Sequence, residues 1–124
     1  MEQRIVKFKA KSIYNGEWVY GDLLHKADGT HIYIGKGEGG HTLCPRVDPS
    51  TVCQFTGLKD CEGKEIWEGD IVEREIYDLF NGSAKVKSVI EYLDGAFLAI
   101  TDGIPYSLYF KYIKVVGNKF DKDE

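Results

Sequence analysis

The chain has 124 residues, 43% hydrophobic and 13% aromatic, a size and composition at which one core is stable without disulfides or metal. Its 16 Lys and Arg against 20 Asp and Glu give a formal net charge of −4, which argues against broad binding to nucleic acid. No apolar stretch reaches transmembrane length and the first residues do not resemble a secretory signal, so we expect a cytoplasmic protein without a membrane contact.

Short turn signals recur along the chain. Asx-Gly pairs favour the positive φ angles of tight hairpin turns, and five of them separate β-branched and aromatic runs. These pairs are Asn15-Gly16, Asp28-Gly29, Asn81-Gly82, Asp94-Gly95 and Asp102-Gly103. Residues 4–35 are therefore predicted to form a three-stranded β meander.

The residue composition changes after residue 35. A glycine run and the prolines at 45 and 49 predict a loop over residues 36–50. The C-terminal β part, residues 51–117, is predicted to contain strands and one short turn or helix beginning at Ser107, and residues 118–124 are predicted to be a frayed tail. The predicted strands cover residues 51–56, 70–77, 84–93, 96–101 and 112–116.

These elements predict one domain, residues 1–124, of the mainly β class. The expected architecture is a small antiparallel barrel-like fold of two meanders with at most one or two short helical turns.

Cysteine and histidine provide the first candidate chemistry. Cys44, Cys53, Cys61 and His41 are the right ligand types for zinc, but their spacing contains no close Cys-x-x-Cys pair. An odd number of cysteines without an export signal favours reduced thiols. His41 could activate Cys44, but both lie in the predicted loop, where a catalytic pair would lack rigid support. We therefore predict no metal and no catalytic thiol.

Glycines and acids provide two further candidates. The run Gly35–Gly40 lacks the Gly-Lys-Ser/Thr ending of a phosphate loop, so no nucleotide cofactor is predicted. The acids between Glu62 and Asp70 are interleaved with Lys64 and have no facing acidic cluster, which favours a solvated turn over a general acid and base. No catalytic residue and no cofactor site are predicted.

Three tyrosines near the C-terminus are the candidate partner-binding residues. Tyr106, Tyr109 and Tyr112 could stack nucleic-acid bases, but with the negative net charge they are more typical of a core or of a protein contact.

One long motif resembles a known family. Residues 54–72, QFTGLKDCEGKEIWEGDIV, resemble the signature of the YopX-like proteins of bacteriophages and prophages. Flanking segments agree with that family at residues 5–10, 18–23, 47–52, 94–97 and 115–118, so the resemblance runs nearly from end to end. Cys53 and Cys61 depart from it, because a small residue and a charged residue are usual there.

The resemblance implies a mostly β protein in the cytoplasm of an infected or lysogenic bacterium, with a function that is not established and no catalytic residue to transfer. The signature also has a local physical explanation. Its glycines permit turns, Asp60 can cap the turn that ends at Gly63, and a strand can begin at Asp70. We predict a structural role for the signature residues Gly57, Asp60, Gly63, Trp67, Gly69 and Asp70.

The resulting hypothesis is a phage-encoded accessory protein that binds a host or phage protein through β edges or exposed aromatic side chains. Assembly as a homo-oligomer would also cover such edges. The first alternative is a nucleic-acid-binding module with a small β-barrel, which would need a local basic face. The third candidate function is that of a hydrolase.

Overall fold

The computed structural model describes residues 5–80, 82–108 and 112–121. Within these residues the chain forms short and long strands with two 3₁₀ turns, Glu38–Gly40 and Pro49–Thr51. The strands are β1 (Phe8–Lys11), β2 (Trp18–Lys26), β3 (Gly29–Tyr33), β4 (Gly35–Lys36), β5 (Thr42–Leu43), β6 (Cys53–Lys59), β7 (Glu65–Trp67), β8 (Asp70–Asp78), β9 (Gly82–Leu93), β10 (Ala96–Thr101), β11 (Ile104–Tyr106) and β12 (Ile113–Asn118).

The chain divides into two compact units, Met1–Phe55 and Thr56–Glu124. In the first unit β1, β2 and β3 form the predicted antiparallel meander, with Asn15-Gly16 between β1 and β2 and Asp28-Gly29 at the turn into β3, which begins at Gly29. The start of β6 pairs with the other side of β1. Alternation along β1 sends Phe8 and Ala10 into a core with Ile32 and Val47.

A close backbone approach explains one glycine of β2. A Cβ atom at Gly21 would overlap the carbonyl oxygen of Tyr33. Any side chain at this position would push β2 away from β3, so the strand pair requires glycine here.

The predicted loop 36–50 is more ordered than expected. β4 pairs with β5, and the segment that follows runs along β3, where Val47 donates its amide to the Thr30 carbonyl and Ile32 donates its amide to the Pro45 carbonyl. The prediction of a continuous loop was therefore wrong, because backbone pairing with β3 compensates for the low strand propensity of this glycine- and proline-rich segment.

The second unit contains an antiparallel sheet with the strand order β11-β10-β9-β8-β12. Two predicted Asx-Gly turns lie between its strands, with φ of +51° at Asp94 and +49° at Asp102 and positive φ at both following glycines. Asn81 lies outside the described residues, although β8 and β9 on either side of it pair antiparallel. A core forms on one face of the sheet and comprises Ile66, Val72, Ile90, Ala99, Ile113 and Val115.

The prediction of a mainly β protein is confirmed, since the described strands belong to antiparallel sheets and the described helical segments are two 3₁₀ turns. These sheets are open and do not close into the expected barrel. The helical turn predicted from Ser107 is not seen at Ser107 or Leu108, and residues 109–111 lie outside the described part. The single domain stays a prediction.

The predicted tail begins later than residue 118. Asn118 ends β12 and is buried, and Lys119 donates its amide to the carbonyl of Gly69. No helix among the described residues is long and apolar enough to cross a membrane.

Candidate functional site

Asp60 organises the first corner of the signature. Its Oδ1 accepts hydrogen bonds from the amides of Glu62 at 2.9 Å and Lys64 at 2.8 Å, and its Oδ2 accepts one from the amide of Val115 at 2.9 Å. Burial opposes ionisation, but these three bonds and the Lys64 charge lower the pKa of Asp60 below its ordinary value. The carboxylate thus ties a turn to the outer edge of β12.

Asp70 organises the second corner and is 3% exposed. Its Oδ2 accepts the amide of Trp67 at 2.8 Å, and its Oδ1 accepts the side-chain amide of Asn118 at 3.0 Å. Gly69, just before it, donates its amide to the carbonyl of Ile90 at 2.7 Å. These bonds fix the start of β8, where the sequence predicted a strand to begin.

The three signature glycines all adopt left-handed backbone conformations. Their φ angles are +88° at Gly57, +82° at Gly63 and +86° at Gly69. At Gly57 and Gly63 a Cβ would meet no atom within 4 Å, so backbone conformation and not crowding accounts for glycine there.

The predicted tyrosine cluster does not form one surface. The Tyr106 ring lies 4.1 Å from the guanidinium of Arg74, whereas the Tyr112 hydroxyl donates to Glu73 at 3.3 Å. Successive residues of a strand point to opposite faces, so these two tyrosines lie on opposite faces of the C-terminal sheet. Tyr109 lies outside the described residues.

A buried arginine on β8 was missed by the sequence reading. Arg74 is 2% exposed, and it donates from Nε to Ser88 at 3.0 Å and from Nη2 to Thr101 at 2.9 Å. Its position between Val72 and Ile76 in the alternating pattern of β8 was the available signal that it points toward the core. With hydroxyl partners and an aromatic cover, this cluster is a satisfied polar part of the core.

The cysteine and histidine candidates differ in burial and do not assemble into a metal-ligand group among the described residues. Cys44 is half-buried, Cys53 is buried and Cys61 is exposed, and the described residues contain no group of three metal-ligating side chains. His41 is exposed. The acidic candidate Glu62 forms an ion pair with Lys114 at 3.2 Å, as expected for a solvated turn.

The outer edges of several strands are already engaged or blunted. Cys61 donates its amide to the Ile113 carbonyl on the outer side of β12, and residues 43–47 cover β3. The β11 edge is three residues long and contains Pro105, which has no amide hydrogen to donate. Strand addition at these edges is therefore disfavoured.

A projecting ribbon carries the most exposed large apolar side chains among the described residues of the second unit. Among the residues that the structure describes, β12 pairs with β8 as far as Arg74 and β10 pairs with β9 as far as Val89, whereas β8 and β9 continue to pair up to Asp78 and Gly82. At the end of this ribbon lies the ribbon tip, defined here as Tyr77 in the last turn-proximal part of β8 and Leu79 and Phe80 just after it, which are 76%, 84% and 94% exposed.

An apolar groove lies beside the signature in the same unit. Its volume is about 390 Å³, within the range of ligand and side-chain pockets. Ile66, Phe97, Leu108 and Ile113 supply apolar lining, and Lys59 supplies a cation. The remaining lining residues are Thr56, Leu58 and Ser107.

Comparison with known proteins decides the family. A family model described as YopX protein matches residues 7–124. The chain belongs to the YopX protein family. Among solved structures it is similar to protein EF1440 from Enterococcus faecalis, with 26% identity, a TM-score of 0.60 and coverage of 94% of each chain. No curated protein matches the chain.

YopX membership agrees with the resemblance read from residues 54–72. In this YopX protein the two signature acids contact backbone amides and Asn118, and Gly57, Gly63 and Gly69 occupy positive φ. The signature therefore forms two corners of the fold and part of one groove, while the ribbon tip lies outside it.

Proposed function

We propose that this protein acts by binding another protein and that the ribbon tip is the contact. The observation that carries the proposal is the joint exposure of Tyr77, Leu79 and Phe80 at the end of a projecting ribbon. Exposed aromatic and aliphatic side chains in one patch are typical of interfaces, where a few such anchors supply most of the binding energy.

The tip is favoured over the tyrosines predicted from the sequence. Tyr106 covers Arg74, and Tyr112 is half-buried and bonded to Glu73, so neither ring is as available as that of Tyr77. The edges of β3, β11 and β12 are covered or blunted. Binding through exposed aromatic and aliphatic anchors is therefore better supported than binding through strand edges.

Nucleic-acid binding is less well supported. Lys9 and Lys11 share one face of β1, and Lys7 lies directly before the strand, so these three lysines are the local basic group that this alternative needs. However, Lys7 lies over the ring of Phe55, and Lys9 and Lys11 lie over the ring of Trp18, so the lysines occupy ring faces on which bases would stack. Lys9 is also only 7% exposed.

The full proposal is that this chain is an accessory protein of a bacteriophage or prophage and has no enzymatic activity. Its partner is a host or phage protein in the bacterial cytoplasm. The resemblance to phage and prophage proteins supports the origin. The described residues hold no group of three metal-ligating side chains, which supports a protein without metal-dependent catalysis.

The test is capture from a bacterial lysate on immobilised protein, with and without nuclease, followed by mass spectrometry. We expect a retained protein to survive nuclease and to be lost with the double variant Tyr77→Ser and Leu79→Ser, since each anchor is worth about 1 to 3 kcal/mol. Tyr14→Ser is the matched control, because Tyr14 is also 76% exposed but lies in the first unit. Equal retention by both variants, or loss of retention on nuclease treatment, would contradict the proposal.

A further inference from the structure

We infer that the ribbon tip binds a second copy of this chain, in the apolar groove lined by Ile66, Phe97, Leu108 and Ile113. This inference rests on the proposed function, since it names the partner of the same tip. It follows from three properties of the second unit: matching apolar surfaces, a distance that prevents self-filling, and complementary charges.

The groove and the tip have matching chemistry. The groove presents apolar side chains next to the signature and is open to solvent at Leu58, which is itself exposed. The tip presents Tyr77, Leu79 and Phe80 to solvent. Placing these side chains in the groove removes apolar area of both surfaces from water, which is the main favourable term in protein association.

A molecule cannot fill its own groove with its own tip. Ile113, which lines the groove, lies opposite Arg74 in the register of β12 and β8. Asp78 is four residues further along the same strand, or about 13 Å at 3.3 Å per residue, and the tip residues Leu79 and Phe80 lie beyond it. The paired ribbon leads away from the groove, so a tip that enters such a groove comes from another copy.

Two charges complement each other across this contact. Lys59 lines the groove, and Glu75 is exposed on the ribbon next to the tip, on the same strand face as Tyr77. Neither side chain has an ion-pair partner among the residues that the structure describes. Each copy carries one tip with an anion and one groove with a cation, so the contact joins two different surfaces and is satisfied by reciprocal exchange in a twofold dimer or head to tail around a ring.

The first experiment measures the molar mass of the full chain by light scattering after size-exclusion chromatography, over about 1 to 100 μM, the range that resolves micromolar affinity. We expect concentration-dependent association. Leu79→Ser on the tip and Leu58→Ser in the groove should each weaken it about tenfold or more, as loss of a central anchor does. Both residues are exposed, and circular dichroism checks that the variants stay folded.

The second experiment reverses the two charges. Glu75→Lys and Lys59→Glu should each weaken association about threefold to tenfold, and the double variant should recover most of the loss, because the pair is restored with opposite sign. Glu91→Lys is the matched control, since Glu91 is exposed on β9 and makes the same charge change away from the ribbon. Equal loss in Glu75→Lys and Glu91→Lys, or no recovery in the double variant, would overturn the inference.

A mixing experiment separates this contact from other modes of assembly. The Leu79→Ser and Leu58→Ser proteins should associate when mixed, because one retains an intact groove and the other an intact tip. A wild-type protein that stays monomeric throughout, or association that Leu79→Ser leaves unchanged, overturns the inference. If the wild type is monomeric but the tip variant loses a protein from the lysate, the inference fails while the proposed function stands. If the protein self-associates through the tip but captures no other protein through it, the inference stands while the proposed function fails.

Discussion

Replacing Asp60 by alanine should destabilise the protein by about 2 to 4 kcal/mol, because three backbone amides lose their common acceptor. The amide of Val115 belongs to a buried residue, and leaving it unsatisfied costs about 1 to 3 kcal/mol. The amides of Glu62 and Lys64 lie in an exposed turn, where water can replace the carboxylate, so each adds about 0.5 kcal/mol.

Urea unfolding followed by tryptophan fluorescence measures this loss, since Trp67 is a buried residue of the same signature. Glu62→Gln is the control, because it weakens only the exposed ion pair with Lys114 and should change the free energy of unfolding by less than about 0.5 kcal/mol. An Asp60→Ala protein whose stability lies within that margin of the wild type would refute the account of this corner.

The Asp60 account also predicts a dependence on pH. The folded-state pKa of Asp60 is below its unfolded value of about 3.8, so its contribution is present above that pH and is lost as pH falls through the folded-state pKa. The difference in stability between wild type and Asp60→Ala should therefore be constant near neutral pH and shrink below about pH 4. A difference that stays constant to pH 2 would indicate that ionisation of Asp60 is irrelevant.

The remaining predictions concern stability elsewhere in the two units. Gly63→Ala should destabilise the protein by about 1 kcal/mol, because alanine is unfavourable at its positive φ. Gly21→Ala should destabilise it by more, because the added Cβ also overlaps the backbone of β3. Equal melting temperatures of the two variants in calorimetry would contradict this. Arg74→Ala should cost about 2 to 4 kcal/mol in urea unfolding through a cavity and lost bonds to Ser88 and Thr101, while Lys87→Ala, on the exposed face of β9, changes little. A neutral Arg74→Ala would show that the buried guanidinium contributes nothing net.

Local signals predicted much of the fold. Asp94-Gly95 and Asp102-Gly103 form the turns that their positive-φ preference indicated, and the strand before Asp94 and the one after Gly95 pair as predicted. β7 and β11 were missed because each is three residues long, too short to show a period. The β4–β5 pair was missed because its partners are joined through glycines whose own preference is for a loop.

The candidate site was less predictable than the fold. Tyr106 and Tyr112 are close in sequence, yet Arg74 and Glu73 hold them on opposite faces of one sheet. Tyr77 and Leu79 lie in an ordinary strand-to-turn segment, and their exposure depends on how far β10 and β12 extend along β8 and β9. Sequence alone does not report where a neighbouring strand stops.

The sequence by itself determined the mainly β class, the antiparallel turns and the family, because each depends on residues that are adjacent in the chain: Asx-Gly pairs, alternating apolar residues and the motif at residues 54–72. Only the tertiary structure decided that Asp60 reaches Val115, that Arg74 is buried and that the tip of β8 and β9 projects into solvent. The physical reason is that a hydrogen bond across 55 residues, or the exposure of a strand end, depends on which distant segments pack beside it.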